Sequence, residues 1–352
     1  MSLRRLRALV LGESELEPHN IHTSLSASGI PITTVDCRSC SNPCEEGHSE
    51  YPRRFTIDYD STLLGSMKPF RRQIVISTGK SDWDFNITDT PDSLAASIAL
   101  SQPPTPAPEP ISIELDEKAA GQCIPGVFTS SDSTRLSILN GSHKTLSVEE
   151  EEHTVLVLPD YTMVVGVRPA DAPELWRTVL DASLPRHGMT TERSAFSSYV
   201  LPFACVILLC SHKRRDNRCA ISAPKLENAF IRSLEGKGWT AHTQLEHIVD
   251  PPLEKFSGSA EAKERHIADE LRALPATRKA LILRNSHIGG HKFSGNCVLY
   301  LPSGSCIWYG RVSTHEVESI VENTILGGLV LPTLLRGGMN ISRPGCPTLH
   351  DW

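Results

Sequence analysis

FACVILLCSHKRRDNRCAISAPKLENAFIRSLEG, residues 203–236, passes from an unbroken apolar run through a loop closed by two cysteines into an amphipathic segment. The run Phe203 to Leu209 is short and lacks a polar break, the pattern of a buried strand. Beyond the loop, Ser222 suits a helix N-cap, Pro224 suits the first turn, Leu226, Phe230 and Leu234 share one side, and Gly236 is a stop. Strand, cysteine loop and helix are expected in that order. A strand over Thr240 to Ile248 should follow, and then a helix over residues 259–274, where Ala260, Ile267, Leu271 and Leu274 fall near helical spacing. A second apolar run, Ala280 to Leu283, reads as a strand leading into SHIGGHKFSGN, residues 286–296. Asn296 to Leu301 and Ser305 to Tyr309 form a hairpin turned by Pro302, Ser303 and Gly304. Ser313 and Glu316 then make a capping box for a last helix through Val317, Ile320 and Val321. The order β-α-β-α-β-β-α is that of thioredoxin.

Chemistry-bearing residues sit in the two loops that leave these strands. Cys210 and Cys219 bound the first loop, and His287 and His291 lie in the second. Two thiolates and two imidazoles can close the coordination shell of zinc or of an iron-sulfur cluster. The His-x-x-x-His spacing would put both rings on one face of a helix, but Gly289 and Gly290 oppose a helix there, and no Glu stands beside His287 as in the zinc proteases. Glycines at those positions let the backbone bend closely around something bulky, which suits a cluster with inorganic sulfides better than a bare ion.

Cys-Ser-His-Lys-x-Arg-Asp-x-Arg-Cys together with His-x-Gly-Gly-His-Lys-Phe-Ser-Gly-Asn resembles the fungal sucrase/ferredoxin-like family. The likeness extends upstream to LLGSMKPFRRQIVISTGKSDW (63–83) and downstream to IWYGRV (307–312). What the resemblance implies is a thioredoxin-like ferredoxin domain holding a 2Fe-2S cluster through Cys210, Cys219, His287 and His291. Two neutral imidazoles in place of two thiolates would raise the potential above that of an all-Cys ferredoxin. A free nitrogen on each ring would couple electron uptake to pH. Because the Cys pair and the His pair lie on separate loops, one iron is expected to take both cysteines and the other both histidines.

The first half has its own signals: strands over Arg7 to Leu11 and Gln73 to Ser77, and a hairpin from Thr154 to Val167 turned at Pro159 and Asp160. VLVLPDYTMVVGV followed by DAPELWRTVLDASL echoes VLYLPSGSCIWYGRV followed by THEVESIVENTI, which suggests an internal duplication. The expected fold is therefore α/β. A degenerate thioredoxin-like N-terminal domain (1–190), with a Pro/Ser-rich insertion near 101–118, precedes a thioredoxin-like ferredoxin domain (198–328) and a tail (329–352).

Ten cysteines without a secretory signal point to metal or redox use rather than a disulfide framework. Cys37, Cys40 and Cys44 with His48 could hold zinc or act as a redox dithiol, which leaves a thiol-disulfide oxidoreductase or a zinc-stabilised scaffold as alternatives to an electron carrier. Cys205, Cys297 and Cys306 fall in apolar strands as small hydrophobes. A net charge of -6 gives no nucleic-acid footprint, and no apolar stretch is long and unbroken enough to span a bilayer. No carboxylate pair is set apart for glycoside hydrolysis. Lys213, Arg214, Arg215 and Arg218 form a basic loop that either attracts an acidic redox partner or is a solvated face, His212 within it is a solvent-facing residue or a support to the ligands, and Lys292 and Asn296 flank the histidine loop. The ending His350-Asp351-Trp352 resembles the C-terminal handle read by the cytosolic iron-sulfur assembly targeting complex, with His in place of an aliphatic residue. The compartment expected is the cytoplasm, with mitochondria as the alternative.

Overall fold

The computed structural model describes residues 18–36, 51–102, 124–185, 196–248 and 250–352. The expected strand Arg7 to Leu11, most of the Pro/Ser-rich tract, and Cys37, Cys40, Cys44 and His48 lie outside them. The chain is a mixed α/β protein. After helix α1 (Pro18–Ala27), the first half builds strand β1 (Arg72–Ser77), helix α2 (Leu94–Leu100), strands β2 (Val127–Phe128), β3 (Leu136–Gly141), β4 (His153–Leu158) and β5 (Thr162–Val167), and helix α3 (Ala172–Leu175), which runs on as a π-turn through Leu180. The second half adds β6 (Ser197–Val200), β7 (Cys205–Cys210), α4 (Asn217–Gly236), β8 (Thr240–His242), α5 (Ala260–Ala273), β9 (Lys279–Asn285), β10 (Cys297–Tyr300) and β11 (Cys306–Tyr309). Helix α6 (Val317–Ser319) also continues as a π-turn, to Leu326, before β12 (Leu335–Met339).

The twelve strands of the described residues join one sheet in the order β2-β12-β11-β10-β7-β9-β3-β1-β4-β5-β6, with β8 beside the start of β9. Within it one arrangement occurs twice. β1 is parallel to β3 and antiparallel to β4, which is antiparallel to β5. Likewise β7 is parallel to β9 and antiparallel to β10, which is antiparallel to β11. The two sets meet where Gly141 of β3 pairs with Asn285 of β9. The contacts there are reciprocal: the Ser286 N–H donates to the Asn140 carbonyl and the Ser142 N–H to the Arg284 carbonyl, each at 2.9 Å. In the same way the Asn140 N–H reaches Ser286 Oγ and the Arg284 N–H reaches Ser142 Oγ, each at 3.0 Å.

Residues of the central strands alternate between two apolar layers, as the period-2 geometry of a strand demands. Ile207, Leu209 and Ile282 pack with Leu226, Phe230 and Leu234 of α4, while Val206, Leu208, Leu281 and Leu283 pack with Ile267 and Leu271 of α5. Burying a side chain such as Phe230 contributes about 1.5–3 kcal/mol, so the strand that carries Cys210 is held from both faces. Three local readings shift. Helix α4 starts ahead of Ser222, because Asp216 is its cap and accepts the Arg218 N–H; Pro224 falls in the helix interior. The strand expected to reach Ile248 ends at His242. Within 329–352, set off above as a tail, β12 hydrogen-bonds to β11, and Leu349 is fully buried.

Candidate functional site

β7 and β9 are parallel neighbours in register, with Cys210 opposite Asn285 at their ends. Both loops therefore leave the sheet side by side at the carboxyl ends of adjacent strands, the usual place for a site in a parallel sheet. Cys210 is the last residue of β7 and Cys219 the third of α4. Cys210 Sγ lies 4.0 Å from His287 Nδ1, and the His287 and His291 rings are 5.5 Å apart, tilted by 34°. The two cysteines are 1 % exposed, His287 is half-buried and His291 is exposed. Thiols form the inner end of the site and imidazoles the outer end.

The two thiols are unequal. A hydrogen bond from Cys219 is the largest influence on Cys210, and with His287 and the Ile288 N–H it outweighs burial and holds the Cys210 thiol well below its usual value. As the donor of that bond, and by burial, Cys219 is pushed up. A buried thiol with a lowered pKa at the end of β7, hydrogen-bonded to a second thiol in the first turn of α4, is a donor pair suited to a metal.

Supporting residues come from distant parts of the chain. His212 is buried, not solvent-facing. Its Nε2–H donates to the Trp83 carbonyl at 2.9 Å, and its Nδ1 accepts the His287 N–H at 3.2 Å. Asn296 donates from Nδ2 to the Gly290 carbonyl. Gly290 adopts a left-handed φ of 70°, which reverses the chain between the two histidines. Arg336, 1 % exposed, donates to Asn296 Oδ1 at 2.7 Å and to the Gly289 carbonyl at 3.1 Å. Asn285 leaves its buried Oδ1 without a partner among the described residues.

The basic loop is largely compensated from the first half of the chain. Arg214 pairs with Asp82 and Asp84, Arg215 stacks on Phe85 with 3.9 Å to the ring centre, and Arg218 pairs with Asp216 at 2.8 Å. Across the site, Lys292 pairs with Asp58 at 3.3 Å. These charges tie residues 58 and 82–86 to the cysteine and histidine loops rather than offering a free cationic patch. Sequence reasoning singled out the four candidate ligands, Lys292 and Asn296, but missed Arg336, whose signal was one charge in the apolar stretch LVLPTLLRGGM. Among the described residues, no group of three or more His, Cys, Asp or Glu side chains is arranged to hold a single metal ion.

The family model described as sucrase/ferredoxin-like matches residues 63–337. The chain belongs to this family. All four candidate ligands and Arg336 fall within the matched span, whereas Cys37, Cys40, Cys44 and the final tripeptide fall outside it. Actin patches distal protein 1 of Saccharomyces cerevisiae is 25 % identical over 300 residues, covering 82 % of this chain and 80 % of the relative. Altered inheritance of mitochondria protein 32 of Debaryomyces hansenii is also 25 % identical over 300 residues, covering 82 % of this chain and 90 % of the relative. The protein of that name from Clavispora lusitaniae is 31 % identical over 132 residues, 38 % of this chain and 34 % of its own length. No solved structure matches the chain. No helix of the described residues is long and apolar enough to cross a membrane.

Proposed function

We propose that the second half of this chain is a thioredoxin-like ferredoxin unit that holds one 2Fe-2S cluster through Cys210, Cys219, His287 and His291 and serves as a one-electron carrier or redox sensor. The observation that carries the reading is the convergence of two thiols and two imidazoles, from loops 77 residues apart, at the ends of two parallel strands. Their arrangement in two pairs suits a dinuclear group, which asks two protein donors of each metal, better than a single ion, which asks three or four of one point. Each loop supplies one pair: the buried cysteines for one iron, the outer histidines for the other. Further support comes from the strand order β9-β7-β10-β11 with α4 and α6, the thioredoxin order, and from its repetition in β3-β1-β4-β5.

The cluster, when bound, supplies one-electron chemistry. The chain's residues do the rest. Cys210 and Cys219 give anionic donors in a dry pocket. The backbone of His287 is fixed by His212, and His291 lies at the exposed end of the site. The histidine side faces solvent, so an electron partner would meet that side first.

Protein purified without oxygen should contain two irons and two acid-labile sulfides per chain and, after dithionite reduction, give a Rieske-like EPR signal. Nitrogen couplings in that signal should vanish in the double variant His287→Cys, His291→Cys. A colourless protein containing zinc, or couplings unchanged in the variant, would sink the proposal.

A further inference from the structure

We propose that Arg336, on β12, is the fixed counter-charge of this site, a positioning residue that holds the histidine loop in its bend and favours the more negative redox state of what the cysteines bind. The inference rests on the cluster reading above. Its basis is a buried cation with no anion of its own. Arg336 is 1 % exposed, and no carboxylate forms an ion pair with it among the described residues. Its guanidinium donates only to neutral acceptors: Ser66 Oγ at 3.0 Å, the Ser66 carbonyl at 2.8 Å, the Gly289 carbonyl at 3.1 Å and Asn296 Oδ1 at 2.7 Å. Removing a cation from water without pairing is costly, so such a charge persists only where negative charge faces it.

The Phe293 and Trp308 ring faces lie 5.7 and 5.6 Å from the guanidinium, and among the described residues the anionic groups that act on it are on the cysteine side. The two thiols are the groups that oppose the effect of burial on Arg336, which brings the guanidinium down to about 10. Placement agrees. A Cβ added to Gly290 would lie 2.4 Å from the Arg336 Nη2, so the guanidinium is packed directly under the residue between His287 and His291. Arg336 also bonds to Asn296, which itself holds the Gly290 carbonyl at 3.0 Å. One side chain thus braces the outer ligands and places a full positive charge beneath the site.

A fixed positive charge favours the state that has gained an electron. At an effective dielectric of about 20, unit charges within about 10 Å of each other change a one-electron equilibrium tenfold or more. Arg336→Gln should therefore lower the reduction equilibrium at least tenfold, about 59 mV for one electron. Arg336→Lys keeps the charge but not the fork, and should stay within threefold of the unchanged protein.

The test is a potentiometric titration of the loaded proteins, with iron and sulfide counted in each. A drop in Gln with Lys preserved supports the inference, as does a cluster retained by Lys and lost by Gln. Equal potentials in all three proteins overturn it, and so does loss of the cluster in both variants, which would mark Arg336 as purely structural. If the unchanged protein takes up no two-iron cluster, the cluster reading fails and this inference falls with it. If it loads normally and Gln titrates unchanged, only the inference fails.

Discussion

His212→Phe removes two hydrogen bonds while keeping a planar ring in the same slot. The imidazole spans the Cys loop, the Trp83 carbonyl and the backbone of His287, at 2.9 and 3.2 Å, and meets the Trp83 ring edge-on with centres 5.9 Å apart. A phenyl ring retains the edge contact but strands an acceptor and a donor. Each buried group left unpaired costs about 1–3 kcal/mol. Trp83 is buried and His287 half-buried, so the lower part of that range applies to the second, and the expected loss is about 2–4 kcal/mol. Urea unfolding of the cluster-free chain, followed by far-UV circular dichroism, measures it. Amide exchange in a peptide covering 286–296 reports whether the histidine loop is released, and iron content after reconstitution should fall with it. A stability loss below about 1 kcal/mol with unchanged exchange in that peptide would refute the idea that His212 fixes the ligand loop.

Two further perturbations lie away from the ligands. Burial lowers His143 from the usual 6.5 to about 4, so the unfolded chain takes up a proton in that window while the folded one does not. Its share of stability is complete above pH 6.5 and is lost as pH falls toward 4, by roughly 3 kcal/mol in all; in His143→Gln the acid slope of unfolding stability should flatten by that amount, and an unchanged slope would exclude the assignment. Asp160→Asn leaves Arg72 buried without its carboxylate, which it meets at 2.5 Å. Because Arg72 keeps the Asp181, Leu184 and Pro185 carbonyls, the loss in denaturant titration should sit near the lower end of the ~3–5 kcal/mol typical of a broken buried pair, and a neutral result would show that the carbonyls alone suffice.

Local signals carried most of what was legible in the sequence. The apolar runs ending at Leu209 and Leu283 mark strands whose final residues, Cys210 and Asn285, stand opposite each other. Hairpins at Pro159 and Pro302 followed from turn chemistry. Capping was ambiguous, because Asp216 and Ser222 are both good caps; the choice fell to Asp216, whose carboxylate accepts from Arg218 at 2.9 Å. What stayed hidden is non-local. Arg336 meets the histidine loop across 47 residues and Ser66 across 270, and no periodicity encodes such contacts. The junction of the two strand sets was in principle readable, since Ile138-Leu139-Asn140-Gly141-Ser142-His143 parallels Ile282-Leu283-Arg284-Asn285-Ser286-His287. That short repeat is closer than the hairpin-and-helix echo that suggested a duplication.

The repeat also shows how the halves divide their labour. By strand register Ser77 occupies the place of Cys210, each being the last residue of its strand and paired with Gly141 or Asn285. Ser77 accepts the buried Thr154 N–H at 2.9 Å, and His143, the counterpart of His287, is fully buried. At these two positions of the first half, then, the side chains serve packing and backbone hydrogen bonds. Its loops reach across instead: Ser81 and Trp83 accept from Ser211 and His212, Asp58 receives Lys292, and Ser66 holds Arg336. Every one of these partners touches a ligand loop or the residue beneath it. The second half brings the four candidate ligands, but the loops that carry them are also held from the first half, so residues 198–328 expressed alone lack Arg336 itself and the groups that fix His212 and Lys292. The first half is a part of the site, not an appendage to it.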